Sequence, residues 1–298
     1  MAYNSGLIDG VLQRYGLPNW MGPYLYKYVR GNPAKAIKRA ASFIEVKRKK
    51  GEVTDKCIKL PNGLKIKMDS VVRLLSIFYY CESRISEIRA QWAVDWFNEG
   101  LPGYKDYLVE MADLNASRMR AIKNLIEGLN YKVGAPPEEL VDVFETISEI
   151  HNPYERLIAL NVILRDAYAK PFGFIFYKVF YPVAAEFMRS FGKAFVDIGR
   201  ENKWGMDESR RIISEGLVSN DGVISLAENI LSMTCRSINA ELPLADEADI
   251  LTEAKLLRDI SIAYPLYDLQ GMGAKFDVEE EVKKIIKISG AKRGKKNP

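Results

Sequence analysis

The 298-residue chain has one histidine, three cysteines and no long uninterrupted apolar run. Histidine is the side chain that titrates near neutral pH and the commonest ligand to metals. The single copy, His151, stands just before Asn152-Pro153 and reads as a loop or helix-end residue, not as a ligand inside a helical core. Cys57, Cys81 and Cys235 are odd in number and far apart. That pattern fits neither a disulfide framework nor a zinc knuckle, and the expected setting is a reducing cytoplasm. The most apolar stretch, residues 172–188, is broken by Lys178, Pro182 and Glu186. No window supplies the roughly 18 to 20 uninterrupted apolar residues that a membrane-spanning helix needs. The opening MAYNSGLIDG has Asp9 where a secretory leader is apolar and no positive charge ahead of it, so export is not expected. There is no phosphate-binding loop with its lysine and no nucleophile elbow. Gly271-Met272-Gly273 matches part of a dinucleotide-binding loop, but it lacks the third glycine and follows no predicted strand, so it reads as a turn between helices.

Charge is abundant and unevenly placed. The net charge is +4, yet residues 35–67 carry +8 and residues 283–298 carry +7, which leaves −11 on the rest of the chain. A mildly acidic body with basic segments attracts polyanions whatever the net charge. A lysine-rich solvated surface, of the kind found in heat-adapted proteins, is the other reading of the same composition.

Residues 1–50 read as short helices separated by glycine and proline. After them comes the one β signal. Ile58, Leu60, Leu64, Ile66 and Met68 fall on even positions, Lys59, Lys65 and Lys67 on odd ones, with Pro61-Asn62-Gly63 as turn chemistry. This predicts a hairpin with one apolar and one lysine face. From Asp69 the period becomes helical. A first stripe runs through Val71, Leu75, Phe78, Glu82, Ile85, Ile88, Trp92 and Trp96, with Asp69 or Ser70 as N-cap and Gly100 to Pro102 as the stop. A second runs through Tyr104, Tyr107, Leu108, Met111, Asn115, Arg118, Ile122, Leu125 and Leu129. A shorter helix follows from Glu138, and a third long one from Asn152-Pro153 carries Leu157, Leu160, Asn161, Leu164 and Tyr168 towards a kink at Pro171. A fourth stripe runs from Ala184 to Ile198. Three or four more helices are expected over 207–289, with breaks at Asn220 to Gly222, Leu242-Pro243 and Gly271 to Gly273. The aromatic run Phe172 to Tyr181 reads as core, or as the lining of a ligand cavity between helices. The predicted fold class is all-α with a minor β-hairpin: an antiparallel four-helix bundle with additional N- and C-terminal helices. The predicted organisation is 1–68 basic N-terminal helices and hairpin, 69–205 bundle, 206–290 helical extension, and 291–298 basic disordered tail.

A polar residue on an apolar stripe faces the core and needs a partner or a metal. Glu82, Asn115, Arg118 and Asn161 are such positions. An inward Glu82 on the first helix, the turn LPGYKDYL, and a second helix with polar residues at 115 and 118 resemble the ferritin-like superfamily, in particular rubrerythrin-type bundles, over residues 70–205. That family holds two iron or manganese ions with a Glu on each of two helices and a Glu-x-x-His on each of the other two. The resemblance implies that Glu82 occupies the first-helix Glu position, that Asn115 and Arg118 replace carboxylate and imidazole, that Asn161 or Arg165 takes the third-helix place, and that Glu201 on the fourth helix is the one other retained carboxylate. Arginine has no lone pair to give a metal, and Arg118 opposite Glu82 would neutralise it as an ion pair. A metal-free bundle without a catalytic residue is therefore expected. The alternative is a shifted iron or manganese oxidoreductase site using Glu87, Glu110, Asp113 or Asp166.

The leading expectation for function is binding of an acidic partner, RNA or a ribosome, through Lys47, Arg48, Lys49, Lys50, Lys59, Lys65, Lys67, Lys292, Arg293, Lys295 and Lys296. Tyr24, Tyr26 and Tyr28 near this patch could stack on bases. A structural subunit that pairs with a catalytic homologue through bundle faces is a further alternative. No membrane partner is expected.

Overall fold

The computed structural model describes residues 52–53, 57–59, 65–94, 101–169, 203–241 and 261–290. They fall in two units divided between Met68 and Asp69. The smaller holds three short antiparallel strands, β1 (Glu52–Val53), β2 (Cys57–Lys59) and β3 (Lys65–Lys67), in the order β1-β2-β3. The β2–β3 ladder pairs Cys57 with Lys67, Ile58 with Ile66 and Lys59 with Lys65, and β1 adds Glu52 opposite Lys59. Positions 57, 59, 65 and 67 thus share one face of the ladder and 58 and 66 the other.

The larger unit is helical. Helix α1 spans Met68–Ala93. It starts one or two residues before the expected N-cap, so Asp69 lies in its first turn, where a carboxylate favours the exposed N–H groups. Helix α2, Tyr104–Gly128, begins after Gly103 at φ 79°, a left-handed conformation that glycine adopts without a side-chain clash. It ends with Asn130 at φ 62°, while Tyr131 N–H returns to the Ile126 carbonyl at 3.1 Å. Its buried face, which includes Tyr104, Tyr107, Leu108, Met111, Asn115, Arg118 and Ile122, is the face that the stripe predicts.

Helix α3 is Glu138–Ser148, with Glu138 and Glu139 in its first turn. Asn152 caps the next helix by accepting the Tyr154 N–H at 2.9 Å, and Pro153 stands at its first position. This α4 is α-helical over Pro153–Ile158 and continues as a π-helix over Ala159–Ala169. Arg156 latches its start, donating from Nε to the Ile150 carbonyl at 2.6 Å with its guanidinium 4.8 Å from the Trp92 ring centroid.

Helix α5 covers Lys203–Ser214 and α6 covers Asn220–Glu241. Asn220 to Gly222, expected as a break, is instead the first turn of α6. Ser219 makes the cap by accepting the Gly222 N–H at 3.1 Å, and the connection lies before it. A helix over 261–271, α7, turns through Gly273 (φ 116°) into α8, Val278–Gly290. Asp277 caps α8 at the Glu280 N–H. Asn220 clamps this turn from α6, taking the Lys275 N–H at 2.7 Å and giving Nδ2 to the Lys275 carbonyl at 3.0 Å.

Leu140, Val143, Phe144 and Ile147 of α3, Ile158, Leu160, Val162, Ile163 and Leu164 of α4, Ile230 and Leu231 of α6, Leu266 of α7 and Ile285 of α8 belong to one buried cluster. The helices after residue 206 therefore share the core of the preceding ones. No described helix is long and apolar enough to cross a membrane. Trp96, the kink at Pro171, the aromatic run 172–181 and the fourth stripe lie outside the described residues.

Candidate functional site

Three elements bring their polar residues together. Helix α1 contributes Glu82 and Arg89, seven residues and two turns apart on one face. Helix α2 contributes Tyr107, Asn115 and Arg118, and the π segment of α4 contributes Asn161, Arg165 and Asp166. All are buried except Arg165, which is half-buried.

Asn115 is the hub. Its Nδ2 donates to Glu82 Oε2 at 2.6 Å, and its Oδ1 accepts from Arg89 Nη1, also at 2.6 Å. Arg89 Nη2 donates to Asn161 Oδ1 at 3.1 Å, and Tyr107 Oη donates to the same oxygen at 2.7 Å. One turn along, Ser86 Oγ donates to the Ala112 carbonyl at 2.8 Å. The Tyr107 ring lies 4.7 Å from Trp204 of α5 and 5.9 Å from the Arg89 guanidinium. Gly205 follows Trp204 and lets α5 close onto the network, because a Cβ there would sit 2.5 Å from Asn161 Nδ2 and closer still to Tyr107 Oη. Beside this cluster Arg165 pairs with the fully buried Asp166 at 2.6 Å and reaches Asp268 of α7 at 3.7 Å.

Burial dominates the electrostatics. It pushes the Glu82 carboxyl above the usual carboxylate range, against the pull of Arg118, the Asn115 hydrogen bond and Arg89. Arg118 is thus among the groups that act on Glu82, while the hydrogen bond to the Glu82 carboxylate comes from Asn115. Burial also disfavours the charged form of Arg89 and lowers its pKa, and it raises the pKa of Tyr107. An arginine keeps its proton in proteins, so for Arg89 the burial is a cost to stability and not a change of state.

This donor set does not suit iron or manganese. Around Glu82 stand two guanidiniums and an amide whose oxygen is already taken by Arg89. Among the described residues no three His, Cys, Asp or Glu side chains gather to hold a metal ion. Glu87 pairs with Arg84 on the surface, Glu110 and Asp113 are exposed, and Asp166 is held by Arg165. His151 is exposed in the connection between α3 and α4.

No family model, curated protein or solved structure matches this chain.

Of the residues expected at the bundle centre, Glu82, Asn115, Arg118, Asn161 and Arg165 converge, and Glu201 lies outside the described residues. Arg89, Tyr107 and Gly205 belong to the site and were not singled out from sequence. The signal for Arg89 was its place seven residues after Glu82, masked by the adjacent Ile88, which satisfies the same stripe. Lys59, Lys65 and Lys67 lie in the ladder. Lys47, Arg48, Lys49, Lys50, Lys292, Arg293, Lys295, Lys296 and the three N-terminal tyrosines lie outside the described residues.

Proposed function

We propose that this chain is a metal-free, non-catalytic bundle of ferritin-like type that binds an acidic partner, RNA or a ribonucleoprotein of the cytoplasm, through its basic segments. The observation that carries this reading is the β2–β3 register, which assigns positions 59, 65 and 67, all lysine, to one face of the ladder. The register sets Lys59 directly opposite Lys65, and like charges so placed destabilise an antiparallel pair. A row of phosphates would compensate that cost. The centre of the bundle supports the non-catalytic half of the reading, since arginines and amides surround Glu82 where lone-pair donors would be needed.

Each phosphate contact by a lysine adds roughly 0.7 to 0.9 to the dependence of log affinity on log salt. Changing Lys59, Lys65 and Lys67 together to glutamate is expected to flatten that slope by about two to three units while the helical signal is retained. The measurement is binding of labelled single-stranded RNA, and of purified ribosomes, across a salt series. A parent protein that binds neither at low salt, or a triple variant that binds as tightly as the parent, overturns the proposal.

A further inference from the structure

Between α1, α2 and the π segment of α4 lies a cavity of about 50 Å³. A water needs about 10 to 15 Å³ of such space, so the cavity suits a few waters or one ligand of three or four heavy atoms. Phe78, Ile85, Leu160 and Leu164 form an apolar part of its wall, and the charged part is Glu82, Arg89, Arg118 and Arg165.

These charges differ in how they are compensated. Arg165 has Asp166 at 2.6 Å. Arg118 acts on Glu82. Arg89 places both terminal nitrogens on neutral amide oxygens, those of Asn115 and Asn161. Its Nε is buried and has no hydrogen-bond partner among the described residues. Asn115 stands between it and the carboxylate of Glu82, holding one with its oxygen and the other with its nitrogen. A guanidinium that is 4% exposed and hydrogen-bonded only to neutral groups, with the Glu82 carboxyl acting on it across Asn115, is compensated only in part, and the cavity it lines has room for a small anion. The planar fork of arginine matches a planar acceptor with two oxygens, and the apolar wall suits a hydrogen or methyl group on its far side.

The geometry points to a binding site for one short carboxylate, of formate or acetate size, seated on Arg89 in this cavity.

Equilibrium dialysis of the full-length protein against radiolabelled formate tests this, with sodium gluconate holding the ionic strength constant. The expected result is saturable uptake of one formate per chain, displaced by acetate and nitrate and not by butyrate. Arg89→Met should weaken uptake about tenfold or more, the loss of a charge-assisted contact. Cys81→Leu leaves every charge in place while filling part of the cavity that Cys81 lines, and it should abolish uptake even if the arginine variant fails to fold. Linear uptake, displacement by chloride as effective as by nitrate, or saturable uptake unaffected by Cys81→Leu would each overturn the assignment.

Discussion

Gly205→Ala is the smallest change that tests whether α5 is seated on the polar network. The added methyl would lie 2.5 Å from Asn161 Nδ2, 2.8 Å from Asn161 Cγ, and closer still to Tyr107 Oη. Neither neighbour is free to step aside. Tyr107 is bonded to Asn161 at 2.7 Å and packed at a tilt against Trp204, and the same Asn161 oxygen takes Arg89 at 3.1 Å. Overpacking of this kind costs about 1 to 3 kcal/mol. Breaking the Tyr107–Asn161 bond to make room leaves buried polar groups unsatisfied at about 1 to 3 kcal/mol. The better helix propensity of alanine returns at most about 1 kcal/mol. The expected net loss is about 1 to 6 kcal/mol, read as a lower denaturant midpoint with an unchanged slope. Gly128→Ala is the control, because nothing lies within 4 Å of a Cβ there, and it should be neutral or mildly stabilising. Removing the Tyr107 hydroxyl should relieve part of the clash, so Tyr107→Phe combined with Gly205→Ala should be less destabilised than the two changes summed, by about 0.5 kcal/mol or more. A Gly205→Ala protein as stable as the Gly128→Ala protein, or strict additivity in that cycle, refutes the reasoning.

Asn115→Leu removes the hydrogen bonds to both Glu82 and Arg89 and should cost about 3 kcal/mol or more in chemical unfolding. Glu82 gives a pH signature. Its folded pKa lies above its ordinary value of 4.5, so between the two the folded state holds a proton that the unfolded state has released. Its contribution to stability is therefore full below about pH 4.5 and declines as pH rises through the folded pKa. Glu82→Gln should flatten this decline in a series of unfolding curves, and an unchanged pH profile would remove burial as the cause. Asn220→Ala deletes both hydrogen bonds to the Lys275 backbone and should lower the thermal midpoint, at a cost of about 1 to 2 kcal/mol.

Helix α2 was legible in the sequence from Tyr104 to Ile122, because its apolar and inward polar positions keep one 3.6-residue period there; in its last turn the stripe expected Leu125 and Leu129, whereas Ile126 is the buried residue and the helix ends at Gly128. The beginnings of α3 and α4 were legible too, from Gly-Pro chemistry before Glu138 and the Asn-Pro cap before Tyr154. The π form of Ala159–Ala169 was not, since its apolar residues satisfy a helical stripe in either geometry and the difference lies in the hydrogen-bond span. The start of α6 was misread because Gly222 signals a turn, while the Ser219 cap that outweighs it is a single hydroxyl. Within the site, charge that interrupts a stripe could be seen at Glu82 and Arg118. Which partners complete the network could not, because Asn115 meets Glu82 across 33 residues of chain and Arg89 meets Asn161 across 72.

The three polar contacts between α1 and α2, at Glu82–Asn115, Ser86–Ala112 and Arg89–Asn115, have a consequence for alignment. Leucine, isoleucine and phenylalanine stripes fit one another nearly as well after one helix slides by a turn along the other. Polar contacts do not, because each has a partner at one height only, and a slide of a turn would strand a carboxylate and a guanidinium in an apolar wall. An apolar replacement of Glu82, Arg89, Asn115 and Arg118 together would thus relieve several desolvation costs and could raise the melting temperature. It would also let the two helices settle in more than one alignment, which amide NMR would register as doubled or broadened resonances along α1.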